Sequence, residues 1–251
     1  MLILGIDTAT PWGSVALCED GEIILEFTLK VGKGSGEYLL AMLGQILPKT
    51  GRKLAELNLI AVGTGPGSYT GIRIGLAAVS GLAEGLQVPV YGVNTLRIIA
   101  ENARYGTEKT GAVAVALDAR RTEVYAALYQ VGIDGLQEIL SPQTIRAAEF
   151  AAKLGELEKV TLCGDGGKNY REIFQTIPAI SLAPRRWDYP QAGWAAEIAR
   201  QEWGGKQTTT YLNLAPEYLR KVEAEIRLEE KLRDAKSNAD VCGRLGRSNN
   251  N

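Results

Sequence analysis

Hydrophobic residues in this chain come in short unbroken runs and in runs spaced by three and four, and the two patterns alternate. Leu2-Ile3-Leu4-Gly5-Ile6 is apolar and stops at Asp7, which predicts a buried strand ending on an acid. Ser14-Val15-Ala16-Leu17-Cys18 reads as the returning strand, Asp20-Gly21 as a tight hairpin turn, and Ile23 to Leu29 as a third strand. Gly32-Lys33-Gly34 then makes a flexible link. Ser35 stands as an N-cap, and Leu39, Leu40, Leu43, Ile46 and Leu47 recur at helical spacing. A strand over Leu57–Val62, a glycine-rich turn and a helix from Thr70 to Leu86 follow. A short strand over Val88–Val93 and a helix over Thr95–Ala103 complete this part.

The same order then recurs. Ala112 to Leu117 is again apolar and again stops at an acid, Asp118. Glu123 to Tyr129 returns, Asp134-Gly135 turns, and Leu136 to Leu140 gives a third strand. A helix over Arg146–Leu154 precedes the strand Val160–Cys163, which runs into a second glycine loop, Gly164-Asp165-Gly166-Gly167. Such self-similarity outranks any single motif. It predicts two α/β lobes of one kind, over residues 1–104 and 105–220, with the two acid-tipped strands facing a cleft. Pro184 to Pro190 reads as a loop. Ala192–Trp203 reads as a helix with Trp194, Ile198 and Ala199 on its apolar face, ended by Gly204-Gly205-Lys206. Residues 221–251 form a third section, a charged helix through about Ala235 and a polar tail from Ser237 with too little apolar surface to order itself.

Chemistry concentrates where strands meet turns. Gly63-Thr64-Gly65-Pro66-Gly67-Ser68-Tyr69-Thr70-Gly71 lets a backbone bend sharply and approach something closely. That something is either an anion at the helix N-terminus or another piece of protein. No Gly-Lys-Ser/Thr closes the loop, so it is not a Walker motif. Asp7, Asp118 and Asp165 each have two readings: carboxylates that organise a magnesium nucleotide, or caps bonded to backbone N–H groups two residues on. Arg73 meets either a phosphate or a local carboxylate. Arg120 and Arg121 are either a rim contact or an ordinary solvated turn. Tyr125 and Tyr129 share a strand face and read as packing. Ser68 and Thr70 lack a base to take a proton, which argues against a nucleophile or a protease.

Composition narrows this further. The 251 residues contain no histidine, which removes Ser-His-Asp and Cys-His catalysis and every imidazole-held metal site. Cys18, Cys163 and Cys242 show no C-x-x-C spacing, and buried inert thiols are the plain reading. A net charge of −1 supplies no field for binding nucleic acid alone. No apolar run has the length of a membrane span and no signal segment opens the chain, so a cytoplasmic protein without membrane contact is expected.

Two βββαβα lobes, each with an acid at the tip of its first strand, resemble the actin/Hsp70/sugar-kinase-like (ASKHA) α/β fold. More specific strings resemble the bacterial TsaB (YeaZ) family. They are Ile6-Asp7-Thr8-Ala9-Thr10, the string Gly65 to Gly75, Pro89-x-x-Gly92-Val93, Asp118 to Tyr125, and Pro216-x-Tyr218-Leu219-Arg220. Together they span about residues 2–220. Gly34-Ser35 departs from the His-Ser that often opens the first helix in this family.

The resemblance implies a non-catalytic paralogue of TsaD. TsaD is the subunit that places threonylcarbamoyl on N6 of adenosine 37 in tRNAs reading ANN codons. The implied role is a scaffold and activator that pairs with TsaD, recruits the ATPase TsaE, meets tRNA only within the complex and forms a homodimer when alone. No cofactor is required on this reading, with ATP or ADP at the junction as the one candidate ligand. The catalytic paralogue carries an H-x-x-x-H metal pair where this chain has Thr95 and Ile99, so no metal is expected. The expected partner surface is helix on helix: Leu39, Leu40, Leu43 and Ile46 of the first helix, with Gly71, Ile72, Gly75, Leu76, Ala78, Val79 and Leu82 of the second. In the second helix, Gly71, Gly75, Ala78 and Leu82 make one stripe, and Ile74 and Leu86 leave apolar residues on a further side. Asp7, Thr8, Gly67, Ser68, Arg73, Asp118 and Asp165 are the candidates for nucleotide or phosphate contact. The alternative is a small-molecule kinase or ATPase of the sugar-kinase class.

Overall fold

The computed structural model describes residues 1–31, 35–104, 106–107, 111–204 and 211–220. The link at 32–34, the charged helix through 235, the polar tail and Cys242 lie outside the described residues, as does most of the Gly204-Gly205-Lys206 stop. Met1–Leu219 forms one compact unit. Strands β1 (Leu2–Asp7), β2 (Trp12–Glu19) and β3 (Glu22–Lys30) lead into helix α1 (Ser35–Thr50). β4 (Leu59–Gly65), α2 (Tyr69–Leu86), β5 (Val90–Asn94) and α3 (Thr95–Arg104) complete the first lobe. The second lobe has β6 (Ala112–Arg120), β7 (Glu123–Gly132), β8 (Gly135–Arg146) and α4 (Ala147–Leu154). It continues through β9 (Val160–Cys163), α5 (Asp165–Asn169), α6 (Arg171–Phe174) and β10 (Ile180–Leu182), and α7 (Ala192–Glu202) follows.

The duplication is visible in the sheets. The first has the order β3-β2-β1-β4-β5, and the second, taken from the other edge, is β8-β7-β6-β9-β10. Each is a meander of three antiparallel strands whose first member pairs in parallel with a fourth. This is the two-lobed actin/Hsp70/sugar-kinase-like arrangement.

The inner strands β1, β4 and β6 are buried on both faces, which explains their unbroken apolar runs, whereas the edge strands β3 and β8 are largely exposed. Leu4, Ile6 and Ile60 face α1 and α2, meeting Leu39, Ile46, Ile72 and Val79. Ile3, Ala61 and Val93 face the other way, meeting Ala195, Ile198 and Ala199 of α7. On the second sheet, Val113, Val115 and Tyr129 meet Leu96 and Ile99 of α3, and the far face packs on Phe150 and Phe174. The helix that ends the first lobe therefore packs against the second sheet, and the helix that follows the second lobe packs against the first. Ser14 Oγ and the Glu26 carboxylate accept the Ala192 and Gly193 N–H groups, satisfying otherwise unpaired donors at the start of α7.

The structure departs from the sequence expectations at several places. Gly164 to Gly167 is not a loop: α5 begins at Asp165, directly after Gly164 at φ +95°. The glycine serves the close approach of this turn to the Ala116 backbone, where a Cβ would clash. β8 runs to Arg146, well beyond Leu140, and β10 was not foreseen. The stripe on α2 also faces inward at its glycines. A Cβ at Gly71 would overlap the Thr8 carbonyl, and one at Gly75 would overlap the Thr8 hydroxyl. The residue that approaches both is Thr8, in the turn after β1, and not a second helix.

Candidate functional site

The residues after β1 and the residues before α2 form one hydrogen-bonded knot. Ser68 caps α2, its Oγ accepting from Gly71 N at 3.2 Å, while its own N–H donates to Ala9 O at 2.6 Å. Thr8 Oγ1 donates to Gly71 O at 2.7 Å. Gly67 lies so close to Ala9 that any Cβ would overlap the carbonyl. The close-packing reading of the glycine loop therefore holds in this lobe. Asp7 is fully buried; its carboxylate accepts from Ala9 N at 2.8 Å, the cap two residues on, and from Thr95 Oγ1 at 2.9 Å.

Burial pushes the Asp7 carboxyl up to about 6, against the opposing pull of the Ala9 N–H and the Thr95 hydroxyl. Its folded-state value thus lies above the unfolded one. The folded chain holds a proton that the unfolded chain has released, so stability falls as pH rises through the window from 3.8 to about 6 and is level above it. Asp7→Asn is expected to flatten that slope and to be more stable at pH 7 by up to about 3 kcal/mol, from a shift near 2 units. Urea denaturation of both proteins at pH 4 and pH 7 measures this. Parallel pH profiles would exclude Asp7 as the source.

Asp118 is the corresponding acid of the second lobe and is only half-buried. Its Oδ1 accepts from Arg120 N at 2.7 Å and Tyr170 Oη at 2.7 Å, and Oδ2 from Asn169 Nδ2 at 3.0 Å. Asp165 Oδ1 accepts from Asp118 N at 2.9 Å, and burial raises its carboxyl. Arg120, Arg121 and Thr122 form the exposed β6–β7 turn with φ of 64°, 54° and 61°, a left-handed run without glycine. Tyr129 is buried and Tyr125 half-buried, as packing predicts.

The nucleotide candidates fit a ligand poorly. Asp7, Thr8 and Gly67 are tied to protein partners and packed beneath the turn, which leaves them no free group for a nucleotide. Thr95 and Ile99 offer nothing to a metal: Thr95 is buried with its hydroxyl on Asp7, and Ile99 lies in the core between α3 and the second sheet. Among the described residues no group of three or more His, Cys, Asp or Glu is placed to hold an ion. Burial raises the Cys18 thiol to about 12 and pushes the Cys163 thiol well above its ordinary range, so both are inert. No helix among these residues is long and apolar enough to cross a membrane.

Of the positions expected to meet a partner, Leu39, Ile46, Gly71, Ile72, Gly75, Leu76 and Val79 are buried within their own lobe. Leu40 is 68% exposed, and Leu43, Ala78 and Leu82 are half-buried. Sequence reasoning missed Ala41, Gly44, Ala77, Gly81 and Gly85, which are exposed alongside them. A side chain added at Gly44, Gly81 or Gly85 would meet open space. These positions give the outer side of α1 and α2 a strip of small, uncharged residues beside the exposed Leu40.

A family model described as TsaD, tRNA N6-adenosine threonylcarbamoyltransferase, matches residues 30–228. The chain is 40% identical to the Escherichia coli tRNA threonylcarbamoyladenosine biosynthesis protein TsaB over 58% of its length and 64% of that protein. It is 27% identical to the Bacillus subtilis TsaB over 90% of its length and 96% of that protein. The solved structure of YeaZ from Pseudomonas aeruginosa superposes with a TM-score of 0.75 at 30% identity, covering 87% of this chain and 99% of that one. The chain belongs to the TsaB (YeaZ) family.

The strings that resemble TsaB come together in space. Glu217 N donates to Thr64 O at 2.8 Å, and the Glu217 carboxylate accepts from Asn94, whose Oδ1 caps the first turn of α3. Tyr218 stacks on Tyr69 and accepts from Arg73. Leu219 O accepts from Thr144 Oγ1 of β8, so the segment ties the glycine loop of one TsaB lobe to an edge strand of the other.

Proposed function

We propose that this chain works in tRNA threonylcarbamoyladenosine biosynthesis as a non-catalytic subunit, pairing with TsaD through the outer face of α1 and α2. The observation that carries the reading is the replacement of the metal-binding pair. Where the resemblance puts two histidines in the catalytic paralogue, this chain has a buried hydroxyl committed to Asp7 and a core isoleucine. Neither the glycine loop nor the described carboxylates supply a substitute. The names of the relatives favour this over a kinase, and the knotted turn after β1 leaves little room for a phosphate.

The docking face is supported by its composition. A face of Leu40, Ala41, Gly44, Ala77, Ala78 and Gly81 lets another helix pack at short range and buries few charges. In the absence of TsaD the same face suits a second copy of the chain. TsaE joins the pair in this reading, and tRNA is met only by the assembled complex. ATP or ADP, if bound, lies at the junction of subunits rather than against Asp7.

Reconstitution tests the reading. TsaD and TsaE supplied with tRNA and threonylcarbamoyl-adenylate are expected to modify tRNA only when this chain is added. The chain alone, and the chain with Mg-ATP, are expected to show no turnover. Equal modification with and without it would refute the proposal.

A further inference from the structure

Arg73 is the single cation of α2, and the structure holds it in one orientation although it is solvent-exposed. Its guanidinium carbon lies 4.0 Å from the Tyr69 ring centroid, and its Nε donates to Tyr218 Oη at 3.0 Å. The two rings stack on each other at 4.7 Å with an interplanar angle of 30°. Tyr218 is fixed in turn, because the neighbouring Glu217 is bonded to Thr64 and Asn94. An exposed arginine ordinarily loses freedom when it binds; this one has already lost it.

What the guanidinium lacks is an acid. Its stack and its Nε bond leave both terminal nitrogens without a partner among the described residues. Glu217, the acid next to Tyr218 in the anchoring segment, is engaged with Asn94. Terminal guanidinium nitrogens held in a plane and open to solvent match the two oxygens of a carboxylate. Arg73 also stands at the N-terminal end of the α2 face that carries Ala77 and Gly81.

We propose that Arg73, pinned by Tyr69 and Tyr218, is an anchor for a carboxylate side chain of the protein that docks on α1 and α2. The inference rests on the docking face proposed above and adds to it a charged contact and a third segment, residues 217–219. Phosphate of RNA is the weaker occupant, since a backbone track needs several cations and α1 offers only Lys49, in its last turn. Tyrosine and arginine beside a strip of small, uncharged residues are instead the composition of a protein–protein hot spot.

The test is the affinity of the full chain for purified TsaD, at low and high salt, with tRNA binding measured in parallel. Arg73→Ala is expected to weaken TsaD binding about 10- to 50-fold and to remove most of its salt dependence. Arg73→Lys recovers little, because an ammonium can neither stack in the same way nor present two nitrogens. Tyr218→Phe keeps the ring and loses the hydroxyl, and is expected to cost about 3-fold through lost orientation. Gly81→Glu separates the two claims. If it abolishes binding while Arg73→Ala leaves affinity unchanged, the anchor is wrong and the docking face stands. If Gly81→Glu binds TsaD normally, the face is wrong and the anchor falls with it. A loss of tRNA binding with unchanged TsaD affinity in Arg73→Ala would assign the site to phosphate and overturn the proposal.

Discussion

Gly81→Glu is expected to leave the chain folded and to weaken its binding to TsaD by at least about 100-fold, the cost of burying a charge without a partner. Gly81 lies on the outer side of α2, and a side chain there meets nothing within its own chain. The substitution replaces the poorest non-proline helix former with a good one, so the isolated subunit has no reason to unfold. In the proposed pair the same position would face the approaching helix. A glutamate there would both hold the two backbones apart and carry a charge into a strip of small, uncharged residues. Circular dichroism of the variant, its affinity for TsaD and its ability to support tRNA modification separate the two effects. A folded variant that binds and activates normally would place the partner surface elsewhere.

Periodicity alone defines only part of α2. The spacing of apolar residues identifies α2 as a helix and shows which residues share a side. It does not say which side faces in. Gly71 and Gly75 look like a landing strip for a second helix until Thr8, more than sixty positions earlier, is found against them. The outer strip, Ala77-Gly81-Gly85, carries no hydrophobic signal in the sequence. By contrast β1, β6 and β9 were legible almost to the residue, because strands buried on both faces leave unbroken apolar runs bounded by acids and glycines. β10 was not: Ile180-Ser181-Leu182 is too short between Pro178 and Pro184 to show any period. The run Gly164 to Gly167 misled in the opposite direction, since three glycines in four residues argue against a helix until close approach to Ala116 is known. Contacts such as Thr95 with Asp7, 88 residues apart, and Arg73 with Tyr218, 145 apart, have no local signature. The family strings containing Asp7, Arg73 and Tyr218 were the only hint that they belong together.

The same helix provides a second test in which one substitution has opposite effects two turns and more apart. Gly81→Ala is expected to raise stability by about 0.5–1 kcal/mol, since it lowers the entropy lost on folding and meets open space. Gly71→Ala gains the same intrinsic preference but places its methyl inside the carbonyl oxygen of Thr8. That oxygen is backbone, in a turn whose neighbours Asp7, Ala9 and Ser68 are joined by hydrogen bonds, so it cannot step aside alone. Either α2 shifts off the sheet, opening the packing of Ile72, Leu76 and Val79, or the turn after β1 moves and breaks the Thr8 bond to Gly71. Overpacking of this kind outweighs the propensity gain, and a net loss of about 2–4 kcal/mol is expected. For a chain of this size that lowers the thermal midpoint by roughly 5 to 15 °C, while Gly81→Ala moves it slightly upward. Thermal denaturation of the two variants beside the parent decides the matter. Equal stability of Gly71→Ala and the parent would mean that the turn after β1 is not locked onto α2, and the reading of the glycine loop as a packing device would fail with it.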